Sequence, residues 1–169
     1  PLRRQRQMCI RDRAGGGKVL QTKYAVKNNG TSLSSATTPA EISSDLRVTI
    51  TPTSGSSLMI VTAELYQGQT TAEITSYRMY KSSSTNMSSP SFVQSASTIN
   101  SSQDGNLSLY TYSRFALAFT LRALELAGNT NERTYSPFWA NTGGTSYLNS
   151  YSGGGYYGTC NITVMEVEL

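Results

Sequence analysis

The side chain that most often does chemistry in proteins is missing here: the 169-residue chain contains no histidine. That removes the usual general base, the commonest metal ligand and every histidine-dependent triad. Six acids, Asp45, Glu64, Glu73, Asp104, Glu125 and Glu132, are the material for a carboxylate pair of the glycoside-hydrolase kind. They are spread over segments that read as strands and loops, where acids ordinarily face water. No nucleophile, base and oxyanion donor cluster along the chain, so the expectation is a non-enzymatic protein with no cofactor and no metal. Setting aside Cys9 in an atypical N-terminal head, Cys160 is the one thiol. Alone it makes no internal disulfide, and it reads as a small buried strand residue.

Tyrosine is in excess, with 11 Tyr against 4 Phe and 1 Trp. Tyr147, Tyr151, Tyr156 and Tyr157 crowd in or beside the glycine-rich stretch 150–158. A tyrosine presents an apolar ring and a hydroxyl together, which suits contact with a sugar or a neighbouring protein surface. These four are the candidate contact residues. The competing reading is that they cover the end of a packed domain.

The elements that must position them read as β throughout. Lys18 to Val26 predicts a first strand, closed by the turn signal Asn28-Asn29-Gly30. Leu46 to Ile50 alternates apolar and polar, and Thr51 to Ser57 breaks it. Leu58 to Tyr66 is a nearly continuous apolar run, which predicts a strand covered on both faces. Ile74 to Lys81 predicts another strand, followed by the serine-rich Ser82 to Ser91 as an exposed loop. Phe115 to Ala127 has helical propensity, yet Phe115, Leu117, Phe119 and Leu121 alternate strictly, and its β neighbours decide for strand.

Arg133 to Ala140 contains Pro137, which predicts an edge or bulged strand. Trp139 shares a face with Tyr135 and Pro137 and reads as core filling. Thr145 to Asn149 is a short strand, Ser150 to Gly158 a loop, and Asn161 to Leu169 a closing strand around Ile162, Val164, Met165 and Val167. Short strands separated by Gly, Ser, Asn and Pro turns predict an all-β fold, a β-sandwich of jelly-roll type. The sequons Asn86-Met87-Ser88 and Asn161-Ile162-Thr163 read as polar loop and strand residues.

Charge separates the head from the rest. Residues 1–13 hold five arginines against one aspartate, and residues 14–169 hold nine basic and nine acidic side chains. A natural basic arm would imply a phosphate-bearing partner. The segment Gln7-Met8-Cys9-Ile10-Arg11-Asp12-Arg13 instead resembles, codon by codon, the translated transposase mosaic end used to prepare sequencing libraries. That resemblance implies a metagenomic source and a head foreign to the protein. The remaining body of about 156 residues is sized for one domain, 14–169. No run in it approaches the roughly 20 apolar residues of a membrane span, no signal peptide precedes it, and neither nucleic acid nor membrane insertion is expected.

The stretches "GKVLQ" (Gly17 to Gln21), "VTITPTSGSSLMIV" (Val48 to Val61), "GGTSYLN" (Gly143 to Asn149) and "NITVMEVE" (Asn161 to Glu168), in that order, carry a likeness over essentially the whole body. The chain resembles a family of C-terminal domains in structural proteins of tailed bacteriophages, notably marine ones, such as tail fibres. It departs from the family at Leu58-Met59, where members carry lysine and isoleucine, and over Phe115 to Trp139. The resemblance implies a virion β-sandwich, a homotrimer, that mediates host attachment through contact with a host surface glycan and with other virion proteins. It implies no catalytic residues. Two alternatives stand beside it: a capsid decoration or other lattice protein, and a secreted glycan-binding module.

Overall fold

The structure, a computed structural model, describes residues 17–34, 36–69, 73–93, 106–111, 116–141, 143–151, 154–156 and 158–169. Along them the period-two patterning becomes strands β1 (Val19–Lys27), β2 (Thr31–Ser34), β3 (Ala40–Glu41), β4 (Val48–Ile50), β5 (Leu58–Gln69), β6 (Glu73–Ser82) and β7 (Ser91–Phe92). There follow β8 (Asn106–Thr111), β9 (Ala116–Leu126), β10 (Arg133–Asn141), β11 (Thr145–Leu148), β12 (Ser150–Tyr151), β13 (Gly154–Tyr156) and β14 (Cys160–Val167). A 3-10 turn, Ser44–Leu46, precedes β4.

In the first sheet β5 pairs along its length with β9; its other side is taken by β14 and then β1 at one end, and by β11 and then β2 at the other. In the second, β10 pairs with β6 on one side and with β3 and β4 on the other, while β6 also carries β7 and β8. All these pairs are antiparallel. The orders β1-β14-β5-β9 and β4-β10-β6-β8 make an all-β sandwich with jelly-roll connectivity.

Alternation explains the core. Met59, Val61, Ala63 and Leu65 of β5, Leu121 and Ala123 of β9, and Cys160, Ile162 and Val164 of β14 face inward from one sheet. Val48, Ile50, Tyr77, Met79, Tyr135 and Trp139 face them from the other. Tyr77 stacks obliquely on Phe119 at 4.5 Å and on Trp139 at 6.3 Å between ring centroids. In β9 the alternation outweighs helical propensity, because Leu121 and Ala123 reach the core while Thr120 and Arg122 stay in solvent.

Three expectations are corrected. β5 is not buried on both faces: its outer residues Leu58, Ile60 and Thr62 are half-buried and Glu64 is exposed. The β10 strand is central despite Pro137, which pairs with Met79 of β6. The Pro137 carbonyl accepts from Ile42 N–H, so its nitrogen, on the same side of the strand, faces the gap between β3 and β4. No ladder bond is lost there. The stretch 150–158 is not a plain loop, since β12 and β13 pair as a two-stranded ribbon. The serine-rich loop after β6 is largely exposed, as expected, and is anchored by the buried Met87 and by Ser82 Oγ, which donates to Ser88 O at 2.7 Å.

The Tyr77 hydroxyl is buried in the core with no hydrogen-bond partner among the described residues. Burial, and then the neighbouring Cys160, push its ionisation well above the ordinary tyrosine value. A buried polar group left unpaired costs about 1 kcal/mol or more. Tyr77→Phe is therefore expected to stabilise the fold by about 1 kcal/mol, read as a higher denaturant midpoint at unchanged m-value; a lower midpoint would show that the hydroxyl has a partner.

Two buried carboxylates tie the ends of the sandwich. Glu166, fully buried on the inward side of β14, accepts from Gln21 Nε2 at 2.6 Å, Thr53 N–H at 2.8 Å, Thr53 Oγ1 at 2.8 Å and Ser54 N–H at 3.3 Å. It thereby joins three of the four stretches named above. Glu125 of β9 accepts from Tyr135 Oη at 2.6 Å and is bridged by the Lys81 ammonium, linking β9 to β10 and β6 across the two sheets.

Candidate functional site

The tyrosine-rich end is built around Asn149, which follows β11 in the left-handed region at φ 56. Asparagine tolerates that backbone better than most residues because its short side chain bonds locally. Its N–H donates to Tyr66 O at 2.7 Å, its Nδ2 donates to Asn28 O at 3.0 Å, and its Oδ1 accepts from Gly158 N–H at 3.0 Å. Both feet of the β12–β13 ribbon are thus fastened to the β1–β2 turn. Gly158 lies flat on the Tyr66 ring, where an added Cβ would stand 3.0 Å from Cε2. Thr159 Oγ1 completes the fastening by donating to Asn28 Oδ1 at 3.1 Å.

Asn149→Ala would place a methyl-bearing residue at positive φ and leave both side-chain bonds unmade. A loss of about 2 kcal/mol is expected in denaturant unfolding, together with faster amide exchange at Gly158. Unchanged exchange there would mean that the ribbon does not depend on this side chain.

Of the four predicted contact residues, Tyr147 is half-buried on the outer face of the first sheet, paired with Ser32 on β2 and Gly68 on β5. Tyr151 and Tyr156 stand on β12 and β13 with their side chains outside the described residues, and Tyr157 lies outside them entirely. Sequence reasoning missed Tyr66, and it named Glu64 only as one of six scattered acids. They are on the outer side of β5, and with Ala118, Thr120 and Thr159 they line an open cleft of about 300 Å³ beside the ribbon's foot. The available signal was the even-numbered spacing of Glu64 and Tyr66, hidden by reading the whole run as buried.

The cleft offers a partly exposed aromatic face, a carboxylate and two threonine hydroxyls. Glu64 Oε2 already accepts from Asn161 Nδ2 at 2.8 Å, which orients the carboxylate along the sheet face. An apolar ring beside oriented acceptors and hydroxyls is the mixture that small polar ligands with one apolar face require.

The other acids are separately employed. Asp45 pairs with Lys27 at 3.1 Å, whose hydrogen bond and charge hold the carboxyl below its ordinary value. Glu125 belongs to the inter-sheet tie. Glu132 lies in the rim of a polar cleft with Lys81, Arg133 and several serines. Glu73's side chain and Asp104 lie outside the described residues. Cys160 is buried, which raises its thiol ionisation. Among the described residues no three His, Cys, Asp or Glu side chains come together as a metal site.

The outer face of the first sheet is graded from apolar to polar. The register aligns Val19, Val167, Leu58 and Leu126 in one row across four strands, and Thr22, Met165, Ile60 and Leu124 in the next. Tyr24, Thr163, Thr62 and Arg122 follow, then Val26, Asn161, Glu64 and Thr120 beside the cleft. Tyr24 is 75% exposed, Leu126 51% and Val19 50%, unusual values for a strand face left to water.

No protein-family model matches the chain, and no curated protein does. What stands without them is the class defined by fold and surface: an antiparallel β-sandwich with an apolar outer face and a braced, tyrosine-bearing end.

Proposed function

We propose that the chain is a non-enzymatic virion structural protein, the C-terminal attachment domain of a tail fibre from a tailed phage, assembled as a homotrimer. The observation that carries the reading is the grading of one sheet face. Its two apolar rows supply a surface to bury against other copies, and its far end presents the Tyr66–Glu64 cleft and the ribbon to a receptor. The resemblance in Gly17 to Gln21, Val48 to Val61, Gly143 to Asn149 and Asn161 to Glu168 supports the virion assignment. The receptor class that suits the cleft is a bacterial surface glycan, whose sugar C–H faces lie on Tyr66 and whose hydroxyls meet Glu64, Thr120 and Thr159.

The labelled full chain, applied to arrays of bacterial surface polysaccharides, is expected to be retained on at least one of them. Glu64→Gln and Thr120→Ala are each expected to weaken that retention. Equal retention by both variants, or none by the native chain, would contradict the site.

A further inference from the structure

A second cleft lies on the opposite sheet, away from the tyrosine-rich end. It is about 160 Å³, formed where the residues between β2 and β3 cross the outer face of β10 and β6. Pro39, Ile74, Phe138 and Ala140 give it apolar walls, and Thr37, Ser76 and Arg78 give it polar ones. Arg78 pairs in register with Phe138, and its guanidinium lies 5.8 Å from the centre of the Phe92 ring.

The state of that guanidinium is unusual. Arg47 is held by Glu41 in a two-pronged pair at 2.7 and 2.6 Å, and Arg133 donates to the carbonyls of Ala127 and Asn129. Arg122 stands exposed in solvent. Arg78 alone among the described arginines is half-buried on a sheet face with neither a side-chain hydrogen bond nor an ion pair to any described residue. A guanidinium partly stripped of water and given only ring faces is a fork waiting for a planar anion.

We infer that this cleft binds an acidic monosaccharide, with the sugar carboxylate on Arg78 and one C–H face of the ring against Phe138, Ile74 and Pro39. At about 160 Å³ the cleft seats the carboxylate and one edge of a single sugar ring, the rest staying in water, since an enclosed void of about 150 Å³ holds only a benzene-sized ring. A carboxylate satisfies both prongs of the fork, and the Thr37 hydroxyl stands at the rim for a sugar hydroxyl. The site is independent of the Tyr66–Glu64 cleft and of the attachment reading, because it uses the other sheet.

Titration of the isotope-labelled full chain with D-glucuronate, D-glucose and benzoate tests it. Glucuronate is expected to move the amide resonances of Ser76, Arg78 and Ala140 with millimolar affinity, and glucose to bind at least about tenfold more weakly. Benzoate, with the charge but no hydroxyls, is expected to be weaker than glucuronate. Arg78→Gln is expected to weaken glucuronate by about tenfold or more while the remaining spectrum stays native. Absence of glucuronate shifts at these amides, equal binding of glucose, tighter binding of benzoate, or undiminished binding by a folded Arg78→Gln chain would each overturn the inference. Should Arg78→Gln fail to fold, the comparison of three ligands on the native chain decides alone.

Discussion

Glu166→Ala is expected to lower the unfolding free energy by about 3 kcal/mol, a large share of the stability of a domain this size. The truncation removes the acceptor of four hydrogen bonds and strands the Thr53 and Ser54 amides beside the core. It also releases Gln21, whose Nε2 ties the first strand to Thr51 O at 2.7 Å. Among the described residues no cation pairs with this carboxylate. Burial alone would raise its ionisation, but the hydrogen bonds led by Gln21 outweigh burial and hold it at about 2.

The sign of the pH effect follows from that. A carboxyl whose folded value lies below its unfolded one stabilises the fold above the unfolded value, near 4.5, and loses the contribution as pH falls toward 2. Discounted for solvent near the loop, the contribution is about 2 kcal/mol. Unfolding of the native chain between pH 5 and 2 is expected to show that loss. Glu166→Gln, which keeps one oxygen acceptor but cannot titrate, is expected to flatten it. An equal pH slope in both proteins would place the titrating group elsewhere.

Glu125→Ala is expected to cost about 3–4 kcal/mol, because it breaks a buried polar tie by removing one partner. The Tyr135 hydroxyl would be left in the core with no acceptor, and the Lys81 ammonium with no counter-charge. Burial, and then the Glu125 charge, already push the Tyr135 ionisation far above the ordinary value, so the ring cannot relieve the loss by ionising. Arg133 would survive the change, since its guanidinium also donates to Ala127 O at 2.7 Å and Asn129 O at 3.0 Å. Tyr135→Phe alone is expected to cost about 1–2 kcal/mol, and the double variant much less than the sum of the two. Strict additivity in denaturant unfolding would show that the two groups are not coupled.

Strand positions were legible wherever alternation was clean. Phe115 to Ala127 is the instructive case, because its composition favours helix while the alternation of Phe115, Leu117, Phe119 and Leu121 and the β character of its neighbours point to the strand that β9 forms. The closing strand shows the limit. Ile162 and Val164 were recognisable as core, but Glu166 occupies the same inward face, and no local pattern says that a distant loop will satisfy its carboxylate. Met165 and Val167, read with the core, belong to the outer face.

Pro137 misled for a similar reason. The rule that proline avoids central strands concerns a donor, and whether the missing donor matters depends on two other strands leaving a gap opposite it. The same non-locality hid the candidate site. Tyr147 was visible by composition, whereas the Tyr66–Glu64 cleft forms only through the pairing of β5 with β9 and the fastening of Gly158 by Asn149. A run of apolar residues from Leu58 onward conceals which of its faces another layer covers.

The most direct test of the account is the mass of the full chain in solution, measured by light scattering after gel filtration across micromolar concentrations. A trimer is expected, three times the 18.3 kDa of one chain, with a shift to the single-chain mass when Leu126→Glu puts a charge in the outermost apolar row. A native chain that stays a monomer throughout would contradict it.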